Sequence, residues 1–261
     1  MITLASDFGS PYPATMKGVI LSRTDAQLVD IAHDLPRQDP RAAAFWLRET
    51  LPYFPPAVHL AVIDPGVGTD RRAIAVRVGD HALVAPDNGL VRPVVRRLAE
   101  QNDGGPPIAA YEITVDDPAS ATFHGRDVFA PAAAEIHAIG VDRTAEIEML
   151  SSIDLDSCVD LQFPTPTRDG ETIHGEVLVV DDFGNVITNV PGGELSGVER
   201  ATVNDVGVPV VDTFDRVAPS ARLVTVGSHG LVECDVNQGR GDEAFGLAAG
   251  DVIEIKVGGA D

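Results

Sequence analysis

The chain changes its pattern of apolar residues partway along, and that change limits what it can fold into. Up to about residue 155, apolar runs of strand length (ITLAS, AQLVDIA, VHLAVID) alternate with helix-like stretches (ATMKGVILSR, DPRAAAFWLRETL). Such alternation argues for an α/β sheet with parallel strands. Within the same stretch, AIAVRV and HALVA, joined by Gly79-Asp80, read as a hairpin. GLVRPVVRRLAE then reads as a helix, AAYEIT as a strand, and RDVFAPAAAEIHAIG as a helix with an Ala-rich inward face. From residue 172 onward there are only short strand candidates broken by turn residues: TIHGEVLVVD, NVITNV, RATVND, RLVTVG, LVECDV and DVIEIKV. That is the pattern of a small β-barrel or sandwich. The intervening 156–171, with FPTPTRDGE, fits neither pattern and predicts a linker. The expectation is therefore an α/β N-terminal domain over 1–155 with a central, mostly parallel sheet, and a smaller all-β, barrel-like domain over 172–261. No internal repeat or low-complexity segment is evident.

Composition narrows the partners. The formal net charge is −21, with 27 aspartates among 40 acidic residues and only Lys17 and Lys256 as lysines among 19 basic ones. A surface of this sign argues against nucleic-acid binding. It suits a protein kept soluble at high salt, where screening suppresses self-repulsion, and so reads as a halophile's surface. The start of the chain is unlike a leader, and no apolar run approaches the ~20 residues that span a bilayer, which predicts a soluble, cytoplasmic protein. Cys158 and Cys234 lack metal-ligand spacing and are too few for a disulfide framework, so they read as buried small hydrophobes.

Four stretches place polar groups where a core does not need them. In VIDPGVGTDRR a strand runs into Asp64, and a Pro and two Gly hold the backbone close in, so that Asp64 and Arg71 project from one rim. The plain alternative is a polar loop between strands. SDFG ends the first strand with Asp7, at the carboxyl edge where parallel sheets bind ligands; there it would accept hydrogen bonds from a pair of ribose hydroxyls or cap the next segment. TFHGRDVFAP sets His124 on a Gly-containing loop before a helix, with Asp127 placed as an N-terminal cap or dipole partner. VDDFGNVITNV combines Asp181, Phe183 and Asn185 at a strand junction, either as a β-turn or as an aromatic face and amide for a flat heterocycle or amino-acid head group. GSHGLVECDVNQG adds Ser228, His229 and Asn237, again with turn chemistry as the alternative. There is no phosphate loop, dinucleotide fingerprint or nucleophile elbow. A metal site is not expected, since Arg71 would oppose a cation beside Asp64 and His124.

Taken in order, SDFG, MKGVIL, DPGVGTDRRAIAV, PDNGL, TFHGRDVFAP, DDFGNVITNV and SHGLVECDVNQG cover nearly the whole chain. Together they resemble the S-adenosyl-L-methionine hydroxide adenosyltransferases, the hydrolase branch of the superfamily that includes the fluorinase and chlorinase. The resemblance implies a homotrimer with active sites between the N-terminal domain of one subunit and the C-terminal domain of the next. It implies Asp64, Arg71 and His124 around a water that attacks C5′ of the substrate's ribose. Asp7 matches the ribose-binding carboxylate, and Phe183 and Asn185 match an element contacting adenine or methionine. Ser228 resembles a residue holding the methionine carboxylate, while Phe214, in VDTFDRVAP, and Asn237 are candidates on the adenine side. Two departures stand out: the loop SPYPATMKG is short and lacks the second Asp that commonly follows SDFG, and His229 stands where the halogenases carry Arg.

The chemistry fits without a cofactor, S-adenosyl-L-methionine being the substrate. A sulfonium departs as a neutral thioether, so no general acid is needed, and the protein must supply an oriented nucleophile in line with the C–S bond. Arg71 would stabilise hydroxide character while Asp64 or His124 accepts the proton. The competing readings are a chloride-using halogenase and a nucleoside-binding module without turnover.

Overall fold

The computed structural model describes residues 1–101, 105–116 and 118–258. It divides into two compact units, Met1–Gln162 and Phe163–Asp261.

The first unit is built on a seven-stranded sheet of β1 (Ile2–Ser6), β2 (Leu28–Ala32), β3 (Val58–Val62), β4 (Ala73–Val78), β5 (His81–Pro86), β6 (Ile108–Ile113) and β7 (Leu150–Ile153), in the order β2-β1-β3-β5-β4-β6-β7. The β2-β1-β3-β5 half is parallel, and the pairs β5-β4, β4-β6 and β6-β7 are antiparallel. Five strands thus share one direction, but the sheet is mixed rather than simply parallel. The reason lies in the connections. Helices α1 (Tyr12–Leu21) and α2 (Pro40–Thr50) return the chain for parallel pairing, whereas the two-residue Gly79-Asp80 turn forces β4 and β5 antiparallel. Every residue of β1 and β3 is buried, as expected where a sheet is covered on both faces. Leu4, Leu60 and Val84 point toward Met16 and Ile20 of α1 and the alanines of α4 (Ala130–Ile139). Helices α2 and α3 (Arg92–Glu100) pack against each other.

The second unit is a barrel-like sheet of β9 (Thr172–Val180), β10 (Val186–Pro191), β11 (Arg200–Val203), β12 (Val206–Pro209), β13 (Arg222–Val226), β14 (Leu231–Val236) and β15 (Val252–Val257), ordered β12-β11-β15-β9-β10-β14-β13, with β8 (Thr167–Asp169) added beside β9. All of these pairings are antiparallel. A bridge between Val210 and Val224 brings the two end strands together and nearly closes the barrel, which removes most of the exposed edge. Its interior is packed with Ile173, Val177, Val186, Val224, Val232, Cys234 and Ile253. A short helix, α5 (Gly241–Phe245), packs on β14. Among the described residues no helix is long and apolar enough to cross a membrane.

Candidate active site

The carboxyl ends of the parallel strands position the first polar groups. Ser6 and Val62 are paired across β1 and β3, so Asp7 and Asp64, one and two residues further on, emerge at the same edge. After Asp64 the chain turns tightly: the Thr69 amide and hydroxyl both donate to the Gly66 carbonyl, at 3.1 and 2.7 Å. Gly68 takes φ +78°, and a Cβ on Gly66 would lie 3.1 Å from Cγ of Arg71, so glycine there lets the arginine stem fold back over the turn. The turn therefore presents Arg71 to Asp64 side by side.

The resulting contact is a fork. Arg71 Nε donates to Asp64 Oδ1 at 2.8 Å, and Nη2 donates to Asp64 Oδ2. Nη2 also donates to His124 Nδ1 at 2.9 Å, and Nη1 to the Arg72 carbonyl at 3.3 Å. Both charged side chains are nearly buried, Asp64 at 5% and Arg71 at 11% exposure, so the bidentate geometry is held away from most competing water. Burial, followed by the Arg71 charge, pulls the His124 pKa below its ordinary value, against the opposing pull of Asp64 and Asp127.

Asp64 and His124, both bonded to Arg71, line a cleft of about 410 Å³. Its wall includes Phe8, Tyr12 and Phe123, which stack edge to face in a triangle with centroids 5.5–6.4 Å apart. The sequence reading did not single out these aromatic rings. The available signal was their position, since Phe8 and Phe123 each adjoin a candidate polar residue in SDFG and TFHG. Arg126, also in the cleft wall, lies over Phe123 at 5.3 Å and clasps Asp127 through two bonds of 2.6 and 2.7 Å. Asp127 makes no side-chain cap on the helical turn Gly125–Phe129 but lies in its first turn, which is the dipole-partner place of the two that were expected. Asp7 does not cap α1 either; its Oδ2 accepts the Gln38 amide at 2.8 Å. Among the described residues no group of three or more His, Cys, Asp or Glu is arranged to hold a metal ion.

The barrel residues are disposed differently. Asp181, Phe183 and Asn185 form a single turn. Asp181 Oδ1 accepts the Phe183 and Asn185 amides at 2.9 and 2.8 Å, and its Oδ2 accepts Asn185 Nδ2 at 3.0 Å. That leaves the Phe183 ring standing free at 79% exposure. Ser228 is exposed and His229 half-buried on the turn between β13 and β14, and Phe214 opens a short 3₁₀ turn. Asn237 Nδ2 donates to the Val217 carbonyl at 2.8 Å, which ties the chain after β14 to the loop before β13. Beside Asp181 the barrel also buries Glu233 and Asp235, which the sequence reading passed over. Burial, reinforced by the Asp181 charge, pushes Glu233 up to about 7; burial together with Glu233 and Asp181 pushes Asp235 up to about 8. Neither carboxyl oxygen of Asp235 has a hydrogen-bond partner among the described residues.

Comparison with known proteins gives matches over both units. Residues 2–145 match the SAM hydroxide adenosyltransferase N-terminal domain and 175–254 the C-terminal domain of the same family. The chain is 38% identical to an (R)-S-adenosyl-L-methionine hydrolase of Salinispora tropica, over 98% of each chain. It is 42% identical to one of Thermus thermophilus, over 96% of this chain and 97% of the relative. An uncharacterized conserved protein from Thermotoga maritima superposes with a TM-score of 0.81 at 32% identity, covering 98% of this chain and 100% of that one.

Proposed function

The chain belongs to the SAM hydroxide adenosyltransferase family, and from that premise we propose that it hydrolyses S-adenosyl-L-methionine to adenosine and L-methionine by in-line attack of water on C5′ of the ribose. The observation that carries the reading is the Asp64–Arg71–His124 cluster, of which Asp64 and His124 line the aromatic-walled cleft. Water is a poor nucleophile, and a dry site with a fixed guanidinium and a carboxylate favours its hydroxide form. The leaving sulfur carries away its own electron pair, so neither a cofactor nor a metal is required. Asp7, which emerges at the same strand edge, is read as the carboxylate that holds the ribose.

A halide in the water's place would meet the Asp64 carboxylate. At 4 Å and an effective dielectric near 20 that repulsion is about 4 kcal/mol, only partly offset by Arg71. We therefore read the enzyme as a hydrolase and not a chlorinase. The test is incubation with S-adenosyl-L-methionine in several molar potassium chloride, with the products separated by mass. Adenosine and methionine are expected. Predominant 5′-chloro-5′-deoxyadenosine would overturn the assignment, and binding without turnover would leave a sensing module.

The remaining substrate contacts are read as those of Asp181, Phe183, Asn185, Phe214, Ser228, His229 and Asn237, supplied by another copy of the chain in a homotrimer. The exposure of the Phe183 ring supports this reading, since it leaves an aromatic face available to a second surface. The acidic surface is read as an adaptation to high salt, so dilution of salt should loosen the trimer and lower activity together. Light scattering across a salt series with activity measured in parallel checks both; full activity from a monomer would refute the composite site.

A further inference from the structure

We propose that Arg71, braced on the ring of Phe129, acts as a tautomer lock: it fixes His124 as a hydrogen-bond donor toward the attacking water, so that Asp64 and not His124 takes the water's proton. The inference rests on the hydrolase reading for its reaction, but its geometry stands apart from it. A guanidinium has five N–H donors, no acceptor, and does not deprotonate in proteins. The 2.9 Å contact between Arg71 Nη2 and His124 Nδ1 can therefore run only one way, with Nδ1 accepting. A neutral imidazole whose Nδ1 lone pair is taken carries its proton on Nε2. Such a ring can donate to a water oxygen but has no lone pair left to receive a proton. The imidazolium is disfavoured as well, because it would set an Nδ1–H against an Arg71 N–H. The charged groups around the ring are Arg71, Asp64, Asp127 and Arg126, and of these Asp127 is already clasped by Arg126.

Asp64 keeps the capacity that His124 lacks. Each of its oxygens accepts one bond from Arg71, and each retains a second lone pair. The step then balances. One water O–H bond breaks, and its proton goes to Asp64 and from there to solvent. The oxygen's electron pair forms the O–C5′ bond. The C5′–S bond breaks with its pair passing to sulfur, which turns the sulfonium into the neutral thioether of methionine. The Nε2–H of His124 stabilises the charge growing on oxygen.

Phe129 is the positioning residue. It is fully buried, and the Arg71 Cζ sits 5.0 Å from its ring centroid. It ends a π-helical turn, Gly125–Phe129, that begins directly after His124 and closes with the Ala130 amide on the Gly125 carbonyl. The wider π turn lets one short segment place the imidazole beside Arg71 and the ring beneath it. Gly125 permits the fit, since a Cβ there would come within 2.9 Å of Met16 Sδ and 3.1 Å of the Phe8 and Phe123 rings.

The first test needs no substrate: ¹⁵N spectra of the histidines at neutral pH, with the His124 signals assigned by their loss in His124→Gln. An unprotonated Nδ1 and protonated Nε2 are expected, whereas the opposite tautomer or an imidazolium overturns the lock. The second compares variants with wild type. His124→Gln offers an oxygen to Arg71 and an N–H to the water, so it should lose less kcat than Asp64→Asn and preserve the ascending limb of the pH–rate profile. Asp64→Asn should lose about 10²–10⁴ in kcat. The reverse order, or loss of that limb in His124→Gln, assigns the proton to His124 and overturns the proposal. Phe129→Leu should lower kcat several-fold at unchanged KM and mix the tautomers; an unmoved spectrum rules out its role. If wild type releases no adenosine, the hydrolase reading fails while the spectra still decide the lock.

Discussion

The two units spend their polar side chains in opposite ways. In the N-terminal unit, Asp64 and His124 both bond to Arg71 and face the cleft as one preassembled cluster. In the barrel, Asp181 and Asn237 bond mainly to backbone, and Phe183 is left with little of its surface covered. The contrast teaches that one unit assembles its polar side chains into a mutually bonded cluster, whereas the other spends them on holding its turns in shape and leaves an aromatic ring uncovered; on the proposed function, chemistry belongs to the first and binding to the second. Substitutions in the first should strike kcat, and those in the second should strike KM and stability.

The largest effect expected is at Asp64. Asp64→Ala should reduce adenosine formation by about 10²–10⁴, the usual worth of a positioned acid–base group, with circular dichroism unchanged. Arg71→Lys should follow at about 10²-fold, because a point charge cannot bond both Asp64 oxygens and His124 together. Near-normal turnover in either would erase the distinction between the units. A matching loss in kcat from Asn185→Ala would blur it from the other side, since that residue is expected to raise KM alone.

How far the sequence anticipated this depends on what kind of signal each element leaves. The long apolar strands and the Ala-rich α4 were legible because burial on both faces demands continuous apolar runs. Strands β7, β8 and β12 were not, since LSSI, TRD and VGVP are three or four residues with no alternation to read. The mixed sheet was half visible: the Gly79-Asp80 hairpin already required an antiparallel pair, although helix alternation argued for parallel strands. Asp64, Arg71 and His124 stood out because polar residues in Gly-containing loops have no core duty. Phe129 was invisible, since a ring under a guanidinium looks in sequence like any apolar residue of a helix. Asp235 was invisible for the converse reason. In LVECDV an alternate acidic residue reads as solvent-facing, yet α5 packs on β14 and Asp235 is completely buried.

The buried ionisable groups sharpen the comparison through pH. His59 on β3 is 1% exposed, bonded to Thr3 Oγ1 at 2.8 Å and stacked on His81, and burial drives its pKa down to about 3. Below the ordinary imidazole value of about 6.5, the unfolded chain takes a proton that the folded chain refuses. Stability of the N-terminal unit should therefore fall as pH drops from there toward 3, by up to about 1.4 kcal/mol per pH unit. Glu233 and Asp235 carry the opposite sign. Their raised values mean that the folded barrel holds protons the unfolded chain has released, so its stability is greatest below about pH 4 and declines as pH rises through 7 and 8. Urea unfolding at pH 5, 7 and 9, followed by probes in each unit, should show acid weakening the first and alkali the second. Asp235→Asn, which keeps the shape without the charge, should raise barrel stability more at pH 9 than at pH 5 and change it little below about pH 4. Identical transitions at every pH would show the two units to be energetically one.

The smallest effect tests whether Asp181 belongs to the turn, to the buried pair, or to both. Asp181→Asn keeps an oxygen for the Phe183 and Asn185 amides, so the turn should survive with a loss of about 1 kcal/mol or less. The same change removes a negative charge that raises both Glu233 and Asp235. With that charge gone their pKa values should fall toward the usual carboxylate range, because less repulsion opposes ionisation. The folded barrel then releases those protons at lower pH, and the difference from the unfolded chain narrows. Its alkaline loss of stability should become shallower than in wild type, while the acid response, set by His59 in the other unit, stays where it was. Asp181→Ala provides the contrast, since it removes the charge and the turn acceptor together: the alkaline slope should flatten equally, but the barrel should also melt earlier at every pH. If Asp181→Asn leaves the alkaline slope unchanged, the three carboxyls do not act on one another, and Asp181 serves only the turn.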